Sequence, residues 1–298
     1  MLERTVVPPH PIDLGLTLSL VRRGTYDPTC RIVDGEVWRA TRTPAGPATV
    51  HLVATAEGIA ATAWGDGAEA ALDAVPALVG CDDDACGFAP THPLVARLWR
   101  DRPGLRIGRT GAVTEAMIGV VLEQRVTTYE ARRAQSQLVE RWGEPAPGPG
   151  DLLVPPDPEV LADVAYYDLH VIGVERKRAD TVRRVAAQAR QLDALVDVPI
   201  ADAAARLGQV QGIGPWSVAY TTMIALGDAD AVPVGDVHLP MAVTEALTGE
   251  AVDDDDAMLE ALEPFAGQRA RVIRLIMAAG LHGPRTGPRY APRDIRDQ

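Results

Sequence analysis

The chain is poor in several residue types that mark common classes of protein. Its 298 residues include one lysine, Lys177, and three cysteines, and aromatic side chains make up only 4% of the chain. An odd number of cysteines at low density fits a reducing compartment and excludes a secreted disulfide framework. No window reaches the roughly 20 apolar residues of a membrane span, and no early segment resembles a signal peptide. We therefore expect a cytoplasmic protein without a membrane partner.

Positive charge is also scarce. Lysine and arginine total 29 against 41 acidic residues, a net charge of −12, which argues at first against nucleic acid because phosphate binding needs cations. The charge is uneven, however: residues 173–190 carry six cations and two acids, and residues 265–298 carry seven arginines and two acids. Since local potential decides binding, these two segments predict weak affinity for an anionic partner, with a modest dependence on salt.

Apolar residues are plentiful, and their spacing divides the chain. They make up 47% of it, enough for two or three packed cores. Alternating, β-branched runs at 33–42, 48–54 and 58–64 are separated by turn residues and predict an antiparallel sheet, with a helix at 68–78 after it. The run 14–20 fits either a strand or a helix capped by Asp13.

From residue 93 onward the apolar spacing is helical. Helices are predicted at 113–142, 158–165, 178–195, 201–209, 215–226, 239–247, 254–262 and 268–279, and the Pro/Gly-rich stretch 145–150 is predicted to be a loop. The predicted fold class is therefore α+β, a small antiparallel sheet domain followed by an all-helical body.

The segment 207–220 carries the strongest chemical signal. The sequence Gly212-Ile213-Gly214 predicts a tight turn, and Pro215 stands where the first position of a helix favours proline. Two glycines let backbone N–H groups at a helix start approach an anion closely, and a phosphate diester is the natural ligand. Taken alone, an ordinary turn between two helices is an equally good interpretation.

A second signal is Asp236, which lies 22 residues after Gly214 and at the start of a predicted helix. A carboxylate in this place can oppose positive charge that develops during a reaction, because a helix N-terminus favours its ionised form. The alternative interpretation is that Asp236 only caps the helix that begins near His238, and His238 itself is expected to be a surface or capping residue.

Together, the hairpin and the Pro-Val-Gly-Asp segment resemble the helix-hairpin-helix superfamily of base-excision DNA glycosylases. Within it, the chain is most similar to the 3-methyladenine DNA glycosylase II branch, which repairs alkylation damage. The segments Arg102-Pro-Gly-Leu-Arg106 and Val120-Val-Leu-Glu-Gln-Arg-Val-Thr127 resemble the branch's Arg-Pro-Gly-Leu-Arg and Ile-Leu-Gly-Gln-x-Val-Ser. The resemblance implies a β-rich domain at 1–88 and two helical subdomains, one formed by 89–111 with 229–298 and one by 112–228, which carries the hairpin.

The resemblance also implies how the base is held and released. Asp236 would stabilise the cationic sugar that forms as the N-glycosidic bond breaks, or orient the attacking water. Trp216 and Tyr220, four residues apart on one helix face, would stack against a flipped base, although core packing is the alternative. Phe265 is a candidate for a third wall of this pocket.

The DNA contacts implied by the resemblance lie in two segments. Gly212, Ile213 and Gly214 would grip the backbone of damaged double-stranded DNA. Either Gln124 or Arg125 would fill the gap that the flipped base leaves, and the branch often has an apolar residue where Arg125 stands. The protein would then be a monomer of the bacterial type that associates with the nucleoid.

This chain differs from two other branches of the superfamily in residues that determine the reaction and the cofactor. Bifunctional relatives place a lysine two residues after the second hairpin glycine, where this chain has Trp216, so a monofunctional hydrolase of alkylated purines such as 3-methyladenine is expected. Iron–sulfur relatives hold a cluster with four cysteines near the C-terminus, whereas the cysteines here all precede residue 90, so no cluster and no other cofactor is expected. Whether a monovalent cation binds at the hairpin stays open.

Two other functions stay open at this stage. One is a glycosylase for oxidised or deaminated bases, which Trp216 disfavours. The other is a non-catalytic module that binds damaged DNA, against which the presence of Asp236 argues.

Overall fold

The computed structural model describes residues 1–85 and 87–283. Its first part is an antiparallel sheet of five strands in the order β1-β5-β4-β3-β2. The strands are β1 (Leu2–Val6), β2 (Cys30–Val33), β3 (Glu36–Thr43), β4 (Gly46–Thr55) and β5 (Gly58–Trp64), and α2 (Ala68–Leu78) packs against them. The predicted antiparallel sheet is confirmed. It has two more strands than predicted, β1 and β2, which lie at its edges, and β1 is too exposed to show apolar alternation.

The ambiguous run 14–20 is helical. The Asp13 carboxylate accepts a hydrogen bond from the Leu16 N–H at 2.8 Å, and α1 (Leu14–Thr17) continues into a 3-10 turn at Leu18–Leu20. Leu14 and Leu18 are buried in the core of the sheet domain, whereas Leu20 packs against the helical body. This short segment therefore carries the chain from one domain to the surface of the other.

The rest of the described chain is mostly helical, as predicted. The helices are α3 (Pro93–Asp101), α4 (Val113–Glu123), α5 (Thr128–Trp142), α6 (Pro158–Asp163), α7 (Tyr166–Val171), α8 (Arg176–Ala187), α9 (Ala189–Asp193), α10 (Ile200–Leu207), α11 (Pro215–Thr221), α12 (Leu239–Thr248), α13 (Asp255–Leu262) and α14 (Arg269–Ala278). A π-helical turn extends α11 to Leu226, and the two-residue strands β6 (Glu144–Pro145) and β7 (Leu153–Val154) pair across the predicted loop. No helix of the described residues is long and apolar enough to cross a bilayer.

The single helix predicted at 113–142 is wrong, because the chain breaks between α4 and α5. Arg125 has a φ of +54°, and Thr127 begins α5 with a capping box, in which its side chain and that of Glu130 satisfy each other's backbone N–H groups. The capping box starts a new helix at this point, although the helical spacing of apolar residues continues through it. Gln124 and Arg125 consequently lie in a tight turn instead of along a helix.

Two large apolar cores organise the helical part. One is formed by residues between Val113 and Leu226, and the other joins α3 to α12, α13 and α14. Phe265 is 8% exposed in the second core, and its ring contacts that of His92 edge-on at 6.4 Å. This position does not fit the expectation that Phe265 forms a third wall of a base pocket.

Candidate active site

The turn between α10 and α11 needs glycine at Gly212. Its φ is +97°, and a Cβ atom there would lie 2.4 Å from Oγ1 of Thr181 on α8. A side chain at this position would therefore be strained and would also clash with α8. The first glycine of the hairpin is required by packing, which brings α8 directly against the turn.

Gly214 is a glycine for a different reason. Its φ of −109° suits any residue, and a Cβ atom there would meet nothing within 4 Å. The residue is exposed at the N-terminus of α11, and within the described chain the N–H groups of Gly212 and Gly214 donate to no acceptor. An open surface with free N–H donors at a helix start is suited to a phosphate group.

These two environments predict opposite effects of substitution. Gly214→Val should cost no more than about 1 kcal/mol of stability, because Gly214 makes no tertiary contact and valine is only a poorer N-cap than glycine. It should weaken duplex binding about tenfold by blocking the N–H groups. Gly212→Val should cost about 1–3 kcal/mol of stability through its positive φ alone. Thermal unfolding and fluorescence anisotropy with an undamaged duplex measure both. A Gly214→Val protein that melts early and binds normally would contradict this assignment.

Gln124 ties the turn after α4 to the hairpin. Its Nε2 donates to the carbonyl oxygen of Gly212 at 3.0 Å and to Oγ of Ser217 at 2.8 Å. Arg125 beside it is exposed and forms no ion pair or hydrogen bond with other described residues. The structure thus brings together the two segments that sequence reasoning assigned to DNA contact, and it leaves the side chain of Arg125 exposed.

Part of the basic segment 173–190 lies beside the hairpin. The guanidinium of Arg184 donates to the carbonyl oxygen of Gln211 at 2.8 Å, and exposed Lys177 lies one turn before Thr181 on α8. Arg178 is buried and donates to the carbonyl oxygen of Leu122 at 2.9 Å, and burial lowers its pKa. The segment therefore presents fewer free cations than its composition suggests.

The other basic segment, 265–298, is engaged within the fold as far as the structure describes it. Arg269 pairs with Asp230, Arg271 pairs with Asp83, and Arg274 is buried and donates to the carbonyl oxygen of Leu16. The remaining arginines of this segment, from residue 285 onward, lie outside the described residues. These three arginines therefore offer little free charge to an anionic partner, and a sequence does not show which cations are already paired.

Both carboxylate oxygens of Asp236 accept hydrogen bonds. Oδ1 accepts from the N–H groups of His238 and Leu239, at 2.9 and 3.0 Å, at the start of α12. Oδ2 accepts from Nε1 of Trp216 on α11, at 2.9 Å. Asp236 therefore caps a helix, as the alternative interpretation held, and it also bridges that helix to the aromatic residue after the hairpin. Three donors hold the carboxylate in one orientation.

Trp216 and Tyr220 form an aromatic pair next to Asp236. Their ring centroids are 4.9 Å apart at an interplanar angle of 61°, and both residues are half-buried against the core of the helical body. Burial raises the pKa of Tyr220 above its ordinary value, and the charges of Asp236 and Glu123 act in the same direction, opposed by Arg23. The phenol is therefore a neutral hydrogen-bond donor at physiological pH.

Sequence reasoning missed Arg23 and Glu123. Nη1 of Arg23, which follows the 3-10 turn of the first domain, lies 2.6 Å from Oε1 of Glu123 at the end of α4. The available signal was Gly119, a glycine in the interior of a helix, where it is unfavourable without a packing reason. A Cβ atom at Gly119 would lie 2.5 Å from Nε of Arg23, so the guanidinium occupies the space that the glycine leaves.

No group of three or more His, Cys, Asp or Glu side chains in the described part of the chain could hold a metal ion. At the hairpin, the carbonyl oxygens of Gln211 and Gly212 already accept hydrogen bonds from Arg184 and Gln124. These two oxygens do not fit a monovalent cation well, since a guanidinium lies against one of them. A monovalent cation at the hairpin stays a prediction.

No protein-family model matches the chain. Among curated proteins, it is similar to a DNA-3-methyladenine glycosylase of Bacillus subtilis, with 27% identity over 192 residues, which cover 62% of this chain and 63% of that protein. It is also similar to YfjP of Bacillus subtilis, which carries a provisional DNA-3-methyladenine glycosylase name, with 24% identity over 169 residues that cover 55% and 58% of the two chains. The chain spans less than two thirds of the length of either relative.

Solved structures share the architecture over most of the chain. A 3-methyladenine DNA glycosylase from Archaeoglobus fulgidus matches with a TM-score of 0.75 and 17% identity, covering 93% of this chain and 98% of that one. An 8-oxoguanine glycosylase/lyase from Clostridium acetobutylicum, solved with double-stranded DNA, matches with a TM-score of 0.70 and 13% identity, covering 91% and 92%. At these identities the likeness shows the fold alone.

Proposed function

Because the chain has the fold of the helix-hairpin-helix DNA glycosylases and is similar in sequence to 3-methyladenine DNA glycosylases, we propose that it hydrolyses the N-glycosidic bond of alkylated purines in double-stranded DNA. The observation that carries this proposal is Asp236, whose carboxylate is fixed between Trp216 and the start of α12. It lies on the same short stretch of chain as the open hairpin at Gly214.

Asp236 is suited to the charged stage of this reaction. As the bond from the sugar to the base breaks, the base leaves with the electron pair and positive charge develops at the anomeric carbon. A carboxylate that is already oriented by three donors stabilises this charge without reorganising. Water then adds to the anomeric carbon and loses a proton to Asp236 or to solvent, which balances the reaction.

Alkylation makes general-acid catalysis unnecessary. A purine methylated at N3 or N7 is cationic and leaves as a neutral base, so its departure needs no proton from the protein. Tyr220, whose pKa is raised, stays a neutral phenol and serves as a wall of the base pocket with Trp216. This proposal gives the aromatic pair a stacking role and leaves the chemistry to Asp236.

The DNA contacts follow from the two segments that meet at Gln124. The N–H groups of the hairpin take one phosphate group, and the exposed cations of α8, Lys177 among them, supply charge beside it. We assign the filling of the vacated stack to Arg125, because it is free and exposed, whereas the amide of Gln124 is bound to Gly212 and Ser217.

A monofunctional mechanism predicts no covalent complex with DNA. Trp216 stands where lyase relatives have their nucleophilic lysine, and an indole cannot form a Schiff base. Borohydride reduction in the presence of abasic DNA should therefore trap no protein–DNA adduct above the level of a Lys177→Met control. Since Lys177 is the only lysine, an adduct that this variant abolishes would show a lyase instead.

The substrate class is tested by the bases that the protein releases. Methylated, deaminated and oxidised duplex DNA is incubated with the protein, and the free bases are identified by mass spectrometry. Release of 3-methyladenine and 7-methylguanine is expected. Release of oxidised or deaminated bases alone would favour the other glycosylase class, and tight binding to damaged DNA without any release would favour a damage-binding module.

A further inference from the structure

We propose that Glu123 contacts the flipped base, that Arg23 positions it, and that this pair selects bases that carry positive charge and N–H donors. The inference rests on the proposed function, since it concerns which base the same pocket accepts. It assigns a role in this pocket to a residue of the first domain.

The position of Glu123 follows from the chain around it. Glu123 is the last residue of α4 and directly precedes Gln124, whose amide donates to Oγ of Ser217 at 2.8 Å. Ser217 in turn directly follows Trp216 on α11. The end of α4 therefore lies against the start of α11, where the aromatic pair and Asp236 are.

The ion pair with Arg23 occupies only one of the two carboxylate oxygens of Glu123. Nη1 of Arg23 binds Oε1 of Glu123, and Nη2 of Arg23 donates to the carbonyl oxygen of Ala116 at 3.3 Å. The side chain of Arg23 is 11% exposed, whereas that of Glu123 is 35% exposed. Oε2 of Glu123 has no hydrogen-bond partner among the described residues. A largely buried guanidinium thus holds one carboxylate oxygen and leaves the other open to an N–H donor.

Charge around the pocket points in the same direction. Burial is the main cause of the raised pKa of the Tyr220 phenol. The carboxylates of Asp236 and Glu123 raise that pKa further, and Arg23 opposes them. Two carboxylates against one guanidinium leave this region negative. In a half-buried site such an excess attracts a cationic base and gives little to a neutral one.

Glu123 also distinguishes this chain from the segment that it resembles. In Val-Leu-Glu-Gln-Arg-Val-Thr, the glutamate stands where Ile-Leu-Gly-Gln-x-Val-Ser has glycine. A glycine offers the base no side chain there. Because an ionised carboxylate is negative and only accepts hydrogen bonds, it suits 7-methylguanine better than hypoxanthine. Both bases present N1–H and a 6-oxo group, but 7-methylguanine adds the positive charge and the 2-amino donor.

Single-turnover excision from matched duplexes tests the inference. Glu123→Gln keeps the shape and an acceptor for Arg23 but removes the charge. It should lower the rate on 7-methylguanine about tenfold, the usual size of a hydrogen bond to a charged group, while hypoxanthine release changes less than about twofold or stays undetectable. Glu123→Asp, which keeps the charge, should recover part of the rate, and Arg23→Met should lower it in the same selective way.

The matched control is on the same helix. Glu115 of α4 also pairs with an arginine of the first domain, Arg39, at 2.8 Å, so Glu115→Gln removes a similar ion pair about two helical turns before Glu123. It should leave both rates unchanged. An unchanged rate on 7-methylguanine in Glu123→Gln, or an equal loss on both bases, would overturn the inference although the proposed function stands. A wild-type protein that releases no alkylated base would overturn both.

Discussion

Asp236→Asn should lower the rate of base release by about 100- to 1000-fold, the cost typical of removing one preorganised electrostatic contact, while duplex affinity changes little. Asparagine keeps an oxygen for the N–H groups of His238 and Leu239, but its amide nitrogen cannot accept from Nε1 of Trp216, and it has no charge to oppose the cationic sugar. The rate is measured under single-turnover conditions on a duplex with one 7-methylguanine, and the affinity on the same duplex without damage.

A second capping aspartate provides the control for this variant. Asp254 accepts from the N–H of Ala257 at 2.9 Å and begins α13, so it has the structural role of Asp236 without the contact to Trp216. Because asparagine caps helices about as well as aspartate, Asp254→Asn should keep its stability within about 1 kcal/mol. Asp236→Asn should cost about 1–3 kcal/mol, since the indole N–H of Trp216 also loses its acceptor. Asp254→Asn should also keep its activity. If Asp236→Asn keeps most of its activity as well, Asp236 is a cap and nothing more.

Asp83→Asn should lower the free energy of unfolding by about 3–5 kcal/mol, the usual cost of removing one partner from a buried ion pair. Arg271 on α14 donates to Oδ1 and Oδ2 of Asp83 at 2.5 and 2.8 Å, and the two side chains are 0% and 3% exposed. The guanidinium also lies over the rings of Phe88 and Trp99. Without the carboxylate it would stay buried and charged without a counter-ion.

The exposed pair Arg4–Asp73 is the matched comparison. Its side chains are 42% and 62% exposed, so Asp73→Asn should cost less than about 1 kcal/mol. Urea denaturation of both variants gives the two free energies. Equal small costs would show that the buried pair does not hold α14 to the segment after α2. A large loss of unfolding free energy in Asp83→Asn alone would show that this ion pair is needed to hold α14 against the segment after α2.

The sequence by itself determined the features that depend on neighbours along the chain. Alternation of apolar residues in 58–64 and helical spacing in 68–78 were enough to predict β5 and α2, because side-chain direction follows backbone geometry over a few residues. The same holds for the hairpin, where Gly212 and Pro215 have conformations that few other residues adopt as easily. The resemblance of this segment to DNA glycosylases was also readable without a structure.

The tertiary structure alone decided which side chains meet. The spacing of residues did not show that Arg23 of the first domain pairs with Glu123, or that Arg271 is buried against Asp83 and so is lost to an anionic partner. Nor did it show that Oδ2 of Asp236 accepts a hydrogen bond from Trp216, 20 residues before it. These contacts join residues that are far apart in sequence, and they form because packing of the cores brings their helices together. A local sequence pattern does not show which distant residues meet, whereas the geometry and the charge around Asp236 depend on it.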